Sequence, residues 1–313
     1  METLINGLHH VTTLAGDTQR NVDFYTDIMG LRLIKKTVNF DAPDMYHLYY
    51  GDEAGSPGTI LTFFPYGGGL PRGRKGVGQL TYTAFSVPTA SLQYWMDRLN
   101  ERSIPYAGPY KRFSESVLRF EDGDGAGIEL VFNNEDQRPG WDNKHIPAEY
   151  AVRGFHTVTL NEQNPDRTIK LLTDTMQHTL VGEEQGRFRF KAGTGGPGNY
   201  VDVQVSPGDV RALQGAGSVH HVAFSTDTDE TQLAIRDELM RAGFQPTTVL
   251  DRNYFHSIYF REPGGILFEI ATNPPGFTVD EPLAELGQNL KLPAQYEARR
   301  ATLEQALPPI VVR

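Results

Sequence analysis

Leu8-His9-His10-Val11-Thr12 and Val219-His220-His221-Val222-Ala223-Phe224 share the tripeptide His-His-Val, each time at the head of a short apolar run with strand-like alternation. With nine His in 313 residues, chance supplies only about a quarter of one His-His pair, so two pairs in matching surroundings mark an internal repeat. Two more openings, at Leu80 and Phe155, complete a fourfold pattern of strand, helix and further strands ending on an apolar run, recurring roughly every 60 to 70 residues. The closing runs are Thr59–Phe64, Gly127–Phe132, Tyr200–Val205 and Ile266–Ile270. Helices are expected near Asp17–Met29, Thr89–Arg102, Pro165–Met176 and Thr228–Arg241, with Asp17, Thr89 and Asn164 or Asp166 as N-caps and Gly30 and Gly243 as stops. In the second helix, Leu92, Trp95, Met96 and Leu99 fall on one stripe.

Strand, helix and a three-strand meander make a βαβββ module. The fold class predicted is therefore α+β, with four such modules forming two cupped mixed-sheet barrels. The first half spans residues 5–133, a linker rich in Asn, Asp, Pro and charge spans 134–152, the second half spans 153–273, and a helical tail with a helix near Ala294–Leu307 spans 274–313. The tail is left to cover a cleft or a neighbouring copy of the chain, and a homo-oligomer stays open.

Composition narrows the chemistry. The chain is 39% hydrophobic and 22% charged, with a formal charge of -10, which argues against a nucleic-acid footprint. Its one basic cluster, Arg72-Gly73-Arg74-Lys75, is short and reads as a loop. No apolar run approaches the roughly 20 residues of a membrane helix, and the N-terminus lacks a signal-peptide layout, so a cytoplasmic protein without membrane partners is expected. Zero Cys removes thiolate nucleophiles, disulfides and Cys-type metal sites. Any metal must be held by His and carboxylate.

Superposing the repeats shows where such ligands survive. The first-strand positions offer His10, Tyr82, Thr157 and His221, and the closing strands offer Phe63, Glu129, Val203 or Asp202, and Glu269. Only the first and fourth modules combine two imidazoles with a carboxylate, so module one is predicted to pair with module four and module two with module three. Glu269 stands out in an oily strand, where a carboxylate needs a cation, a donor or a proton. Two His and one carboxylate leave about half of an octahedral ion open, the arrangement of non-haem Fe(II) oxygenases. The plain alternative is a set of hydrogen-bonded barrel histidines and a salt-bridged Glu. His156 nearly aligns with His9 and is the substitute ligand if the modules pair sequentially; His47, His145, His178 and His256 lack such support.

These motifs, with Asp251-Arg252 and Tyr259-Phe260-Arg261-Glu262-Pro263-Gly264-Gly265-Ile266-Leu267-Phe268-Glu269, resemble the vicinal oxygen chelate superfamily, which takes in glyoxalases, bleomycin-resistance proteins and extradiol dioxygenases. Within it the chain is similar to the hydroquinone-type ring-cleaving dioxygenases, over about residues 5–275. The resemblance implies Fe(II), with Mn(II) as the substitute, on His10, His221 and Glu269; pocket roles for His9, Thr12, His220, Arg252 and Tyr259; and a small aromatic substrate with O2, in aromatic catabolism or quinone detoxification. Residue by residue, a three-residue Pro263-Gly264-Gly265 hairpin places Tyr259 opposite Glu269, and Arg252 is a fixed cation suited to a phenolate. His9 and His220 point off the ligand face of an ideal strand, so a role for them requires a bulge. Catechol and hydroquinone substrates stay open. Two other readings compete: a glyoxalase-type isomerase or thiol transferase, whose fourth ligand would stand where Phe63 is expected, and a non-catalytic binder of quinones or drugs.

Overall fold

A computed structural model describes residues 3–143 and 145–312. Its first module runs β1 (Gly7–Ala15), α1 (Thr18–Asp23), β2 (Arg32–Val38), β3 (Tyr46–Gly51) and β4 (Ile60–Pro65). The second runs β5 (Gln79–Pro88), α2 (Leu92–Glu101), β6 (Tyr106–Arg112), β7 (Glu115–Glu121) and β8 (Gly127–Asn133). The third runs β9 (Gly154–Glu162), α3 (Asp166–Lys170), β10 (Thr179–Glu184), β11 (Arg187–Lys191) and β12 (Tyr200–Val205). The fourth runs β13 (Val219–Thr226), α4 (Asp229–Arg241), β14 (Leu250–Asp251), β15 (Phe255–Arg261) and β16 (Leu267–Pro275).

The modules pair first with fourth and second with third. One eight-stranded sheet has the order β14-β15-β16-β13-β1-β4-β3-β2 and the other β10-β11-β12-β9-β5-β8-β7-β6. Each is an α+β cup joined by one antiparallel seam, β1 against β13 and β5 against β9. Chain ends that are remote in sequence thus meet at the centre of one sheet.

Local signals explain most helix boundaries. The Asp17 side chain accepts from Arg20 N, and Thr228 closes a capping box with Thr231 at the start of α4. Gly30 and Gly243 follow helices at φ +69° and +88°, where a glycine has no Cβ to clash. Two expectations shift. Thr89 opens a 3-10 turn, Thr89–Ser91, ahead of α2 instead of capping it, and the first and third helices end in π-helical turns, Phe24–Ile28 and Leu171–Thr175. The stripe of α2 buries Trp95 and Leu99, while Phe268 and Ile270 of β16 share a buried apolar cluster with Ile235 and Leu239 of α4. The opposite face of β16 is thereby freed to carry Glu269 into the cup.

In the tail, the expected single helix is a 3-10 segment, Ala294–Arg299, followed by α5 (Arg300–Ala306). It is anchored on its own chain. Lys35 Nζ, fully buried on β2, meets Asp280 Oδ1 at 2.6 Å, the Glu281 carboxylate and the Phe277 carbonyl at 3.2 Å. Further along, the Tyr296 hydroxyl donates to the Phe40 carbonyl at 2.7 Å, in the loop between β2 and β3, and Tyr46 donates to the Pro308 carbonyl at 3.0 Å. No helix among the described residues is long and apolar enough to cross a membrane.

Candidate metal centre and its pocket

The register of three adjacent strands brings His10, His221 and Glu269 together. Across the seam His10 pairs with Ala223 and Thr12 with His221, and Ala223 pairs in turn with Glu269 on β16. His10 Nε2 and His221 Nε2 are 3.2 Å apart, and they lie 3.2 and 3.0 Å from Glu269 Oε2. Three ligand atoms each about 2.1 Å from one ion, at right angles, would be about 3.0 Å apart, so these edges fit one face of an octahedron. The donor set passes a second test: Glu269 is fully buried, its Oε1 accepts from Ser257 Oγ, and its Oε2 faces only the Nε2 atoms of His10 and His221, whose lone pairs would meet it unbridged. A buried carboxylate oxygen left that way is costly, and a cation between the three atoms resolves it. Burial alone would raise the Glu269 carboxyl, but the two imidazoles outweigh it and hold the group well below the usual carboxylate range. The His221 imidazole is lowered by burial, against the pull of Glu269.

Both His-His pairs sit on bulges. The seam skips His9, between Leu8 opposite Phe224 and His10 opposite Ala223, and it skips His220, between Thr12 opposite His221 and Thr13 opposite Val219. An extra residue bends the strand and re-aims its side chain. His9 Nδ1 thereby lies 2.9 Å from His10 Nδ1, and His220 Nδ1 lies 2.8 Å from His221 Nδ1, with ring planes crossing at 81° and 78°. If both Nε2 lone pairs face a cation, the Nδ1 protons of His10 and His221 are donated to these neighbours, which fixes each ring's tautomer and aim.

The two bulge residues differ in setting. His9 is sealed under Phe255, with a backbone hydrogen bond to Thr272, and is pulled down to about 3 by burial and then by His10. His220 is half-buried on the pocket wall, edge-on to Phe64, and is lowered to about 4 by burial and then by His221. Thr12 lies behind the wall, where its hydroxyl shares a 2.7 Å hydrogen bond with Thr62. Arg252 and Tyr259 do face the pocket. Tyr259 pairs opposite Glu269 in a hairpin closed by Glu262 N donating to Ile266 O at 3.0 Å, and Arg252 Nε donates to the Tyr259 oxygen at 3.2 Å. Burial and Glu269 raise the Tyr259 phenol despite the guanidinium, so it keeps its proton. The cavity in front of these groups has a volume of about 410 Å³.

His47 and Tyr49 of β3 also line this cavity and were missed in the sequence. His47 Nδ1 lies 2.9 Å from the Tyr49 hydroxyl and His47 Nε2 lies 2.9 Å from Thr62 Oγ1; burial first, then His10 and His221, push the imidazole well below its ordinary range. The signal was available: counting back along the first module's hairpin as for Tyr259 places Tyr49 opposite Thr62. The same register corrects the fourth-ligand position. Thr12 pairs with Thr62 just as Ala223 pairs with Glu269, so Thr62, not Phe63, is the counterpart of Glu269. Phe63 lies on the other face, fully buried against the Tyr25 ring at 4.5 Å.

The second cup solves the same problem differently. Glu129 and Asp202 occupy the places of Glu269 there, opposite Ala84 and Thr159. Glu129 takes two 2.6 Å hydrogen bonds from Arg112 and two, of 2.8 and 3.1 Å, from Arg119, and Asp202 takes bonds from Arg187 and Arg189. These arginines overcome burial and bring Glu129 down to about 2. His156 belongs to this network, 2.7 Å from Glu115 Oε1, and does not join the cluster at Glu269. Of the other histidines, His178 contacts the Met176 carbonyl and His256 pairs with Asp229. His145 lies 3.4 Å from Asp27.

Comparison with known proteins adds an independent line. The family model described as Glyoxalase/Bleomycin resistance protein/Dioxygenase superfamily matches residues 7–140 and 154–270. MhqO of Bacillus subtilis (strain 168), provisionally named a ring-cleaving dioxygenase, is 43% identical over 307 residues, covering 98% of this chain and 97% of its own. A chlorohydroquinone/hydroquinone 1,2-dioxygenase of Sphingobium indicum is 35% identical over 319 residues, covering 98% of each. A crystal structure provisionally named a dioxygenase, also from B. subtilis strain 168, superposes with a TM-score of 0.95 at 43% identity, over 99% of this chain and 98% of that one.

Proposed function

The chain belongs to the glyoxalase/bleomycin resistance protein/dioxygenase superfamily, and from that premise we propose that it is an Fe(II)-dependent ring-cleaving dioxygenase acting on hydroquinone-type aromatics. The observation that carries this reading is the His10, His221, Glu269 cluster, whose three ligand atoms lie 3.0 to 3.2 Å apart beside a cavity of about 410 Å³. Fe(II), or Mn(II) in its place, supplies the redox chemistry that triplet O2 needs to react with a closed-shell ring. Phe64, Phe255 and Leu267 form the apolar walls that hold a flat ring and exclude water. Arg252 stays charged and, with the protonated phenol of Tyr259, donates toward oxygen atoms that gain negative charge as the ring opens. His220, neutral on the wall with its Nδ1 accepting from His221, turns Nε2–H to the cavity and donates a hydrogen bond to a substrate oxygen. His9 and Thr12 act from behind, holding His10 and the Thr62 side of the cup in place.

An isomerase of the glyoxalase type is the competing enzyme reading, and Thr62 weighs against it. A fourth protein ligand would stand at that position, but the Thr62 hydroxyl is engaged by Thr12 and His47. The decisive experiment is anaerobic purification, loading with Fe(II) and addition of methylhydroquinone and O2. Oxygen uptake with an opened-ring product is expected; a flat oxygen trace with hydroquinones and catechols alike rejects the reading. In parallel, His221→Ala should lose metal while keeping its fold, and stoichiometric iron in that variant rejects the ligand assignment.

A further inference from the structure

Strand register reveals a pseudo-twofold relation between the walls of the pocket. Tyr259 stands opposite Glu269 and Tyr49 stands opposite Thr62, so the two tyrosines are counterparts; two residues earlier on the same strands, Ser257 and His47 are counterparts as well. Ser257 bonds to Glu269, and His47 bonds to Thr62. One wall thus ends in a carboxylate available to a cation. The other ends in a neutral hydroxyl chain running Thr12, Thr62, His47, Tyr49, with links of 2.7, 2.9 and 2.9 Å.

That chain is more than packing. Its inner end, the Tyr49 ring, is clamped edge-on by Phe277 and Tyr254 at 5.2 and 6.0 Å, and is 1% exposed. His47 uses both ring nitrogens, so the imidazole cannot swing. Whichever way the protons run along the chain, the Tyr49 oxygen retains capacity: it has an O–H to spare when His47 donates to it, and a lone pair to spare when it donates to His47. Among the described residues it has no hydrogen-bond partner besides His47, and it lines the same cavity as His10 and His221. A neutral donor-acceptor dyad suits a second hydroxyl or a carbonyl oxygen; a carboxylate or phosphate would call for a cation.

We propose that Tyr49 and His47 form the subsite for the far oxygen of the substrate, so that the pocket selects rings oxygenated at two opposed positions. The proposal rests on the reading of the site as one for hydroquinone-type rings, and it makes Tyr49 a specificity-determining residue with His47 as the residue that positions it.

The test is binding, measured by calorimetry on Fe(II)-loaded protein without O2, using hydroquinone, catechol and phenol. The native chain should hold hydroquinone about tenfold more tightly than phenol, the size of one well-placed hydrogen bond, and more tightly than catechol. Tyr49→Phe removes only the oxygen and should bind hydroquinone as weakly as phenol, with phenol affinity within about twofold of native. His47→Gln, which removes the imidazole that holds the tyrosine hydroxyl, should lose most of the same discrimination and serves in its place if Tyr49→Phe does not fold. Equal native affinity for hydroquinone and phenol overturns the proposal. So does a proportional loss for both ligands in either variant, which is the mark of a structural role. Hydroquinone preferred over phenol with no oxygen uptake would sink the dioxygenase reading and leave the subsite standing; oxygen uptake without that preference would do the reverse.

Discussion

Replacing Glu269 by Gln separates a metal ligand from a structural ion pair, because only the ligand role makes the cost of the change depend on metal. The change is nearly isosteric and leaves an oxygen for the Ser257 hydroxyl. In metal-free protein the native carboxylate is fully buried, with Oε1 bonded to Ser257 and Oε2 against the His10 and His221 imidazoles that hold it well below the usual carboxylate range, and losing that pairing costs about 1 to 3 kcal/mol. Glu269→Gln should therefore be less stable than the native chain in EDTA, by about 1 to 3 kcal/mol. With metal the gap widens. An ion that binds only the folded state contributes about 4 kcal/mol when present at a thousandfold its dissociation constant, and the variant, lacking the charged ligand, forfeits most of that. Urea unfolding in EDTA and in excess Mn(II), run for both proteins, gives four midpoints, and the gap between the two proteins should be the wider one in Mn(II). An equal gap in both media would refute the reasoning: Glu269 would then be paired with His10 and His221 alone, and no ion would be needed to explain it.

Other parts of the structure make further claims. In the second cup, Arg112→Ala strips Glu129 of a paired donor and leaves a buried charge short of its partner, so unfolding free energy should fall by about 3 to 5 kcal/mol while iron content per folded chain is unchanged; loss of iron would contradict the separation of the two cups. Glu162 is buried beside Glu262, which already accepts from Thr168, Gly264 N and Ile266 N, and burial followed by that neighbour raises the Glu162 carboxyl from 4.5 to about 8. Its proton is held more tightly in the folded state, so the stabilisation is complete below about pH 4.5 and is lost as pH rises toward 8; denaturant midpoints of Glu162→Gln should stay flatter than native across that window, and parallel curves would count against the shared proton. Finally, Tyr296→Phe unties the tail from Phe40, whose residue lines the pocket beside Asp41. A several-fold rise in KM for the aromatic substrate with iron content unchanged is expected, and an unaltered KM would show that the tail does not set the mouth.

How far the sequence spoke can be followed residue by residue. Module pairing was legible because only the first and fourth modules together combine two imidazoles, His10 and His221, with a carboxylate, Glu269, and a buried carboxylate without a cation is too expensive to be accidental. Tyr259 was legible from hairpin arithmetic. What failed was the counting of the first module's closing run, where Phe63 was taken one place out of register; a period-two strand turns that slip into a change of face, and the true occupant, Thr62, hides His47 and Tyr49 behind it. The mouth loop and tail were illegible for another reason, since the contacts of Lys35 with Asp280 and of Tyr296 with Phe40 join segments with no shared periodicity.

The two bulges show how a repeat pattern came to carry chemistry. An unbulged β1 would place His9 and His10 on opposite faces, leaving the ligand's Nδ1 without its neighbour; skipping one residue in the ladder at His9, and again at His220, puts each first imidazole against the Nδ1 of the second. No such pair exists at the seam of the second cup, where Tyr82 and Thr157 stand in the corresponding places and the ladder carries its own shifts. There the buried acids are met by guanidinium groups that cannot leave, since Arg112, Arg187 and Arg189 are themselves largely buried and hydrogen-bonded. Fixed cations close a carboxylate to chemistry as surely as an exchangeable one opens it. On the metal-centre proposal, the difference between the two cups comes down to which cation answers the same buried acid.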